Sequence, residues 1–168
     1  MKNLKSILLA GFLTVGTFAT SVFTSCNPDA CKDVVCQNAG TCTDGSCSCP
    51  AGYEGTNCEK ESKAKFLKNW TASDIEAGTS TPIPYSCVIA SGAGLTNVVI
   101  GNTFSDGFFT NSVTGTVNGN TITITMQEPD SDGYKVSGTG TYANSSISWS
   151  YTLTDPTNAT INYTGTWN

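Results

Sequence analysis

Six cysteines, Cys31, Cys36, Cys42, Cys47, Cys49 and Cys58, recur within residues 31–58 with the rhythm C-x4-C-x5-C-x4-C-x-C-x8-C. Thiols at that density either pair as disulfides or hold a structural metal. The chain has no histidine, and structural zinc favours closer cysteine pairs. Disulfides are therefore expected, and no metal. Between Cys31 and Cys58 the sizeable apolar residues are Val34, Val35 and Tyr53. So small a segment cannot bury a core that offsets its ordering entropy, and it needs covalent staples. Each bridge closing a short loop contributes about 3 kcal/mol on the chain-entropy model. Six cysteines can pair in many ways, and the spacing alone selects none.

The closing stretch, Cys47-Ser-Cys49-Pro-Ala-Gly52-Tyr53-Glu-Gly55-Thr-Asn-Cys58, together with the six-cysteine rhythm, resembles an epidermal-growth-factor-like (EGF-like) module. The resemblance implies the pairs Cys31–Cys42, Cys36–Cys47 and Cys49–Cys58. Asp44-Gly45, midway between Cys42 and Cys47, favours a type I′ hairpin turn at the module's centre. The marks of the calcium-binding variant are missing. Only Asp29 closely precedes Cys31, and no aromatic lies between Cys42 and Cys47.

An oxidising compartment requires export, and the first residues supply a route. Lys2 and Lys5 form a basic start, and Ile7 to Phe23 carries no charge. Residues 1–25 read as a secretory signal rather than as part of the fold. Phe23-Thr24-Ser25-Cys26 resembles the processing box of bacterial lipoproteins, with Phe23 where leucine is usual. That resemblance implies a lipid on Cys26, with residues 26–30 as a tether. The competing readings are ordinary cleavage and an uncleaved anchor. Cys87 is then left as a free thiol. It shares a strand face with Tyr85 and Ile89, where a free cysteine behaves as a small buried hydrophobe. An unlipidated Cys26 could instead pair with it.

Residues 59–65 join the module to the rest of the chain. Glu59/Lys63 and Glu61/Lys65 have the i,i+4 order that supports a short helix, and a solvated linker is the equal alternative. Residues 66–168 change character, to Thr, Ser, Asn, Gly, β-branched residues and aromatics. Period-two alternation puts Ile122, Ile124 and Met126 on one face. It does the same for Ile147, Trp149, Tyr151 and Leu153, and for Ile161, Tyr163 and Trp167. Turn signals separate about eight strands, near 71–77, 84–91, 96–103, 107–117, 121–127, 134–142, 146–154 and 159–167. Short connections favour antiparallel neighbours, hence an all-β up-and-down barrel or a sandwich. Phe66-Leu67-Lys68-Asn69-Trp70 resembles the helical turn and early tryptophan that open lipocalin-like (calycin) barrels, with Lys68 where glycine is usual.

Without histidine, imidazole triads are excluded, and Cys87 lacks an activating base. The carboxylates Asp74, Glu76, Asp106, Glu128, Asp130, Asp132 and Asp155 are expected in solvated turns and outside any apolar strand face. No catalytic residue, cofactor or metal is expected. The Glu128-Pro-Asp130-Ser-Asp132-Gly133 turn lacks the ligand series of a calcium loop. Trp149, Tyr151 and Trp167 are expected in the core rather than as sugar platforms. The formal charge is −5, all basic residues are lysines, and nucleic-acid binding is disfavoured. The expectation is a non-enzymatic, secreted protein anchored by lipid at a bacterial outer membrane or cell surface. The EGF-like module would act as a stalk or contact module displaying the β domain to a protein or glycan partner. A lipocalin-like carrier of a small apolar ligand and a glycan-binding surface protein are the alternatives. No ligand-binding residues are singled out.

Overall fold

The computed structural model describes residues 30–168. The leader, the tether up to Asp29 and the lipid attachment expected at Cys26 lie outside them.

The cysteine-rich segment is held by three bridges, Cys31–Cys42, Cys36–Cys47 and Cys49–Cys58. Its central hairpin pairs β1 (Thr41–Thr43) with β2 (Ser46–Ser48). Asp44 and Gly45 turn it with φ of 49° and 81°, as a type I′ turn demands. A second small ladder joins β3 (Tyr53–Glu54) to β4 (Lys60–Glu61).

The remaining strands close a barrel: β5 (Asn69–Glu76), β6 (Ile83–Ser91), β7 (Asn97–Ile100), β8 (Val113–Asn118), β9 (Thr121–Gln127), β10 (Lys135–Ala143), β11 (Ser146–Thr154) and β12 (Thr160–Trp167). Each pairs antiparallel with the next, and β12 returns to β5. This is the up-and-down barrel of the two expected architectures. The alternation works as physics requires: Ser and Thr face out, while Val113, Val117, Ile122, Ile124, Ile147, Trp149 and Leu153 are buried inside. Glycines make room for the rings. A Cβ on Gly140 would sit 2.8 Å from the Trp149 ring.

Several expectations are corrected. Met126 is 61% exposed rather than internal. The β9–β10 register shifts between Val136 and Gly138, and the extra residue in β9 flips its end to the other face. Ile161 is exposed because β12 begins at an open end of the barrel. The strand expected at 107–117 starts only at Val113, and β7 ends at Ile100. The chain between them folds into the barrel mouth through a turn at Phe104–Gly107, in which Ser105 and Asp106 adopt left-handed φ of 54° and 56°.

Residues 59–65 are not a solvated linker, and the short helix expected there is reduced to a single turn at its end. They contribute β4 and a 3-10 turn at Ala64–Phe66, and Ser62 and Lys63 are buried. Lys63 Nζ donates to Ser91 Oγ at 2.8 Å and to the Gly94 carbonyl at 2.6 Å. Lys65 pairs with Glu54 at 2.6 Å instead of Glu61, and also donates to Asn120 Oδ1. Ser62 N–H donates to the Gly52 carbonyl. Gly52 has φ of 93°, and a Cβ there would approach Leu95 Cβ to 2.9 Å. The module is therefore seated against the barrel end formed by the β6–β7 and β8–β9 turns. Phe66 plugs that end, with Tyr142 edge-on at 5.5 Å. Trp70 lies beside them and donates its indole N–H to the Phe66 carbonyl at 2.8 Å. Among the described residues no helix is long and apolar enough to cross a membrane.

Candidate functional site

The opposite end of the barrel, where β5 and β11 finish and β6 and β12 begin, carries the polar chemistry. Trp70, Ala72 and Asp74 alternate inward along β5. Asp74 is thus inside the barrel, 1% exposed, contrary to the expectation of a solvated loop carboxylate. It fits because β12 places Gly165 directly opposite. Any side chain there would collide with the Asp74 carboxylate.

Three neutral donors satisfy this buried charge. Asp74 Oδ2 accepts from Tyr85 Oη at 2.5 Å and from Tyr151 Oη at 2.7 Å. Its Oδ1 accepts from Trp167 Nε1 at 3.1 Å. Among the described residues it has no cationic partner. Burial, augmented by the negative charge of Asp74, pushes both phenols well above the ordinary tyrosine range. The phenols stay neutral donors across the physiological range.

The loop after β7 closes over this cluster. Phe104 is fully buried against Trp149, Tyr151 and Trp167, with centroids 5.9, 4.8 and 5.8 Å away. Ser105 ties the loop to the polar network. Its N–H donates to Tyr85 Oη, and its hydroxyl to Tyr151 Oη. From outside, Asp130 accepts the N–H groups of Thr110 and Asn111 at 2.8 Å each, and these bonds hold its carboxyl below the usual range.

Above the cluster lies a cleft of about 270 Å³ lined by Asp74, Ile83, Tyr85, Ser105, Asp106, Phe108, Tyr151 and Tyr163. It adjoins a second cleft of about 310 Å³ through the shared residues Phe108 and Tyr163, with Tyr134, Leu153, Asp155 and Ile161 beyond. Tyr151 and Tyr163 stack at 5.0 Å, and Phe108 meets Tyr134 edge-on at 5.4 Å. A larger groove on the outer barrel face is lined mainly by Thr, Gly and Asn, without an aromatic or a charge. The mouth therefore has what a small-ligand site needs: concave apolar walls with a few convergent polar groups.

Of the residues singled out from the sequence, six cysteines are bridged and Cys87 is free and buried. Trp149, Tyr151 and Trp167 are core, although Tyr151 also reaches the cleft. Asp74, Tyr85, Ser105 and Phe108 carry no sign in the sequence that they meet at one site. The one available signal, the period-two alignment of Asp74 with Trp70 and Ala72, bears on Asp74 alone.

Burial raises the Cys87 thiol to about 11 from an ordinary 9.0. The folded state therefore holds this proton between those values and the unfolded state does not. The stabilisation is complete below about pH 9 and is lost as pH rises towards 11. At pH 8 Cys87 should react with a disulfide reagent on the order of a hundredfold or more slower in the native protein than in urea, since opening must come first. Equal rates in the two conditions would place the thiol at the surface.

No family model matches the chain. A Neurogenic locus notch homolog protein of Giardia intestinalis is 49% identical over 37 residues, which is 20% of this chain and 6% of that protein. The chain thus spans a small fraction of that relative's length. The three bridges of the cysteine-rich module are the pairs that its EGF-like resemblance implies. A crystal structure of a Bacteroides ovatus protein of unknown function is similar over 59% of this chain and 40% of its own, at 16% identity and a TM-score of 0.39.

Proposed function

We propose that this is a lipid-anchored binding protein of a bacterial outer membrane or cell surface. In this reading Cys26 carries the lipid, the EGF-like module is a short stalk, and the barrel mouth takes the ligand. The observation that carries it is polarity of construction. The module sits on one end of the barrel through Lys63, Lys65 and Gly52, and the aromatic, carboxylate-bearing clefts open at the other. An anchor on the module side would leave those clefts facing outward.

The disulfides fit an extracellular setting. The acidic balance and the absence of arginine argue against nucleic acid as a partner. The reading is of binding and not of catalysis, since the buried carboxylate is engaged by three neutral donors. A carrier of an apolar ligand inside the barrel is less well supported, because Phe104, Trp149 and Trp167 occupy the interior. Glycan binding has one observation in its favour, the exposed Phe108 and Tyr134 rings at the rim.

Cys26→Ala should abolish detergent-phase partitioning and leave either an unprocessed precursor or a soluble product, because stable anchoring rests on acyl chains. A normally processed, membrane-extracted Cys26→Ala protein would remove the anchor from this reading. For the mouth, NMR titration with glycan-array hits should move amides near Phe108, Ile161 and Tyr163, and not those near Lys65 and Asn120. Shifts confined to the module end would reverse the proposed orientation.

A further inference from the structure

All seven side-chain carboxylates of residues 69–168 belong to the mouth end of the barrel. They are Asp74 and Glu76 at the end of β5, Asp106 in the loop after β7, Glu128, Asp130 and Asp132 between β9 and β10, and Asp155 between β11 and β12. One lysine, Lys135, stands among them, and it lines neither cleft. The other described lysines, Lys32, Lys60, Lys63, Lys65 and Lys68, lie in the module or towards the module-bearing end. The barrel is thus electrically polar along its axis, and a concave site focuses such a field into its opening.

We infer that the mouth binds a small organic ammonium ion, held over the Tyr163 and Phe108 rings and facing Asp74 and Asp106. This rests on the reading of the mouth as the ligand end and adds the ligand's chemistry. Aromatic faces attract a desolvated ammonium through the ring quadrupole. The cleft offers such rings in Tyr85, Tyr163 and Phe108. Tyr163 is itself near a carboxylate, with Glu76 Oε2 3.4 Å from its hydroxyl. Asp74 places a carboxylate at the floor with no cation of the described residues against it. Asp106, exposed at the rim, supplies a second. An anionic ligand would meet only repulsion, and a neutral one would leave the charge unused.

The test is an NMR and calorimetric titration of the purified full chain with choline and with its neutral isostere, 3,3-dimethylbutan-1-ol. Choline is expected to shift the Trp167 indole and the Tyr163 and Ser105 amides. The isostere should bind at least about tenfold more weakly, reflecting the missing cation–π and carboxylate attraction. Asp106→Asn is a mild variant, because asparagine tolerates the left-handed φ of 56° at that position. It should weaken choline several-fold and leave the isostere unchanged. Equal affinity for the two compounds would overturn the inference. So would choline shifts outside the mouth, or no response to choline at about 10 mM, roughly tenfold above a 1 mM dissociation constant. A neutral glycan shifting the same mouth residues in that event would leave the mouth as the ligand end and remove only its preference for cations.

Discussion

Reduction of the three disulfides should unfold residues 31–58 and leave the barrel standing. Within that module the one buried hydrophobic residue is Cys58, itself half of a bridge. The bridges close loops with sequence separations of 11, 11 and 9 residues. On the chain-entropy model each contributes about 3 kcal/mol, more than a module without a core can lose. The barrel has no such dependence. It contains no cystine, and Trp70, Phe104, Trp149 and Trp167 are all buried. Each side chain of that kind contributes roughly 1.5–3 kcal/mol on burial. Reductant also releases Glu54 from Lys65, a partly exposed pair worth about 1 kcal/mol at most. All three tryptophans lie in the barrel, so their fluorescence follows it alone during urea unfolding. The expected result is a cooperative fluorescence transition shifted by no more than about 1 kcal/mol, with module amides collapsed to unfolded positions. A barrel that loses cooperativity in reductant would show that the junction through Lys63 and Gly52 couples the two parts far more strongly than its contacts suggest.

The sequence disclosed those features whose cause is local. Cysteine rhythm, the Asp44-Gly45 turn and the two-residue alternation of β11 are written in neighbouring residues. What it concealed depends on partners distant in the chain. The bulge that turns Met126 outward is set by how β9 pairs with Val136 and Gly138, and nothing in Thr121–Gln127 announces it. Glu61 and Lys65 carry a correct helical spacing, yet Lys65 finds Glu54 and Asn120 in the folded barrel, and a tertiary contact displaces the local one. Phe108 reads as part of the strand expected over 107–117, and Phe104 falls in the link before it. The position of Phe104 follows from a hole among Trp149, Tyr151 and Trp167 that only a closed barrel creates, and Phe108 is left exposed at the rim beside Tyr134. Asp74 is the sharpest case. Its burial is possible because Gly165, on a strand far along the chain, lies opposite, and because Tyr85, Tyr151 and Trp167 converge on it.

That convergence makes Asp74→Ala the most costly single change expected in the barrel's polar network. The substitution removes the acceptor of three hydrogen bonds and keeps every donor. Among the described residues Trp167 Nε1 has no other partner, while Tyr85 and Tyr151 retain contacts with Ser105 but lose the group that takes their own protons. A buried donor left unsatisfied costs about 1–3 kcal/mol, so a total of about 3–5 kcal/mol is expected by urea unfolding. Asp74→Asn keeps the shape. One amide oxygen can still accept from the two tyrosines, but the amide nitrogen then faces the Trp167 N–H. One bond and the charge are lost, and about 1–3 kcal/mol should follow. Asp74→Leu combined with Tyr85→Phe and Tyr151→Phe removes most donors along with the acceptor, and it should recover much of the Asp74→Ala loss even though it contains more substitutions. A non-additive recovery of that kind is the signature of an interlocked network. If Asp74→Ala costs under about 1 kcal/mol, water reaches the cluster from the cleft and replaces the carboxylate. The floor of the mouth would then be wet, and the buried charge would not be what holds Tyr85, Tyr151 and Trp167 in place.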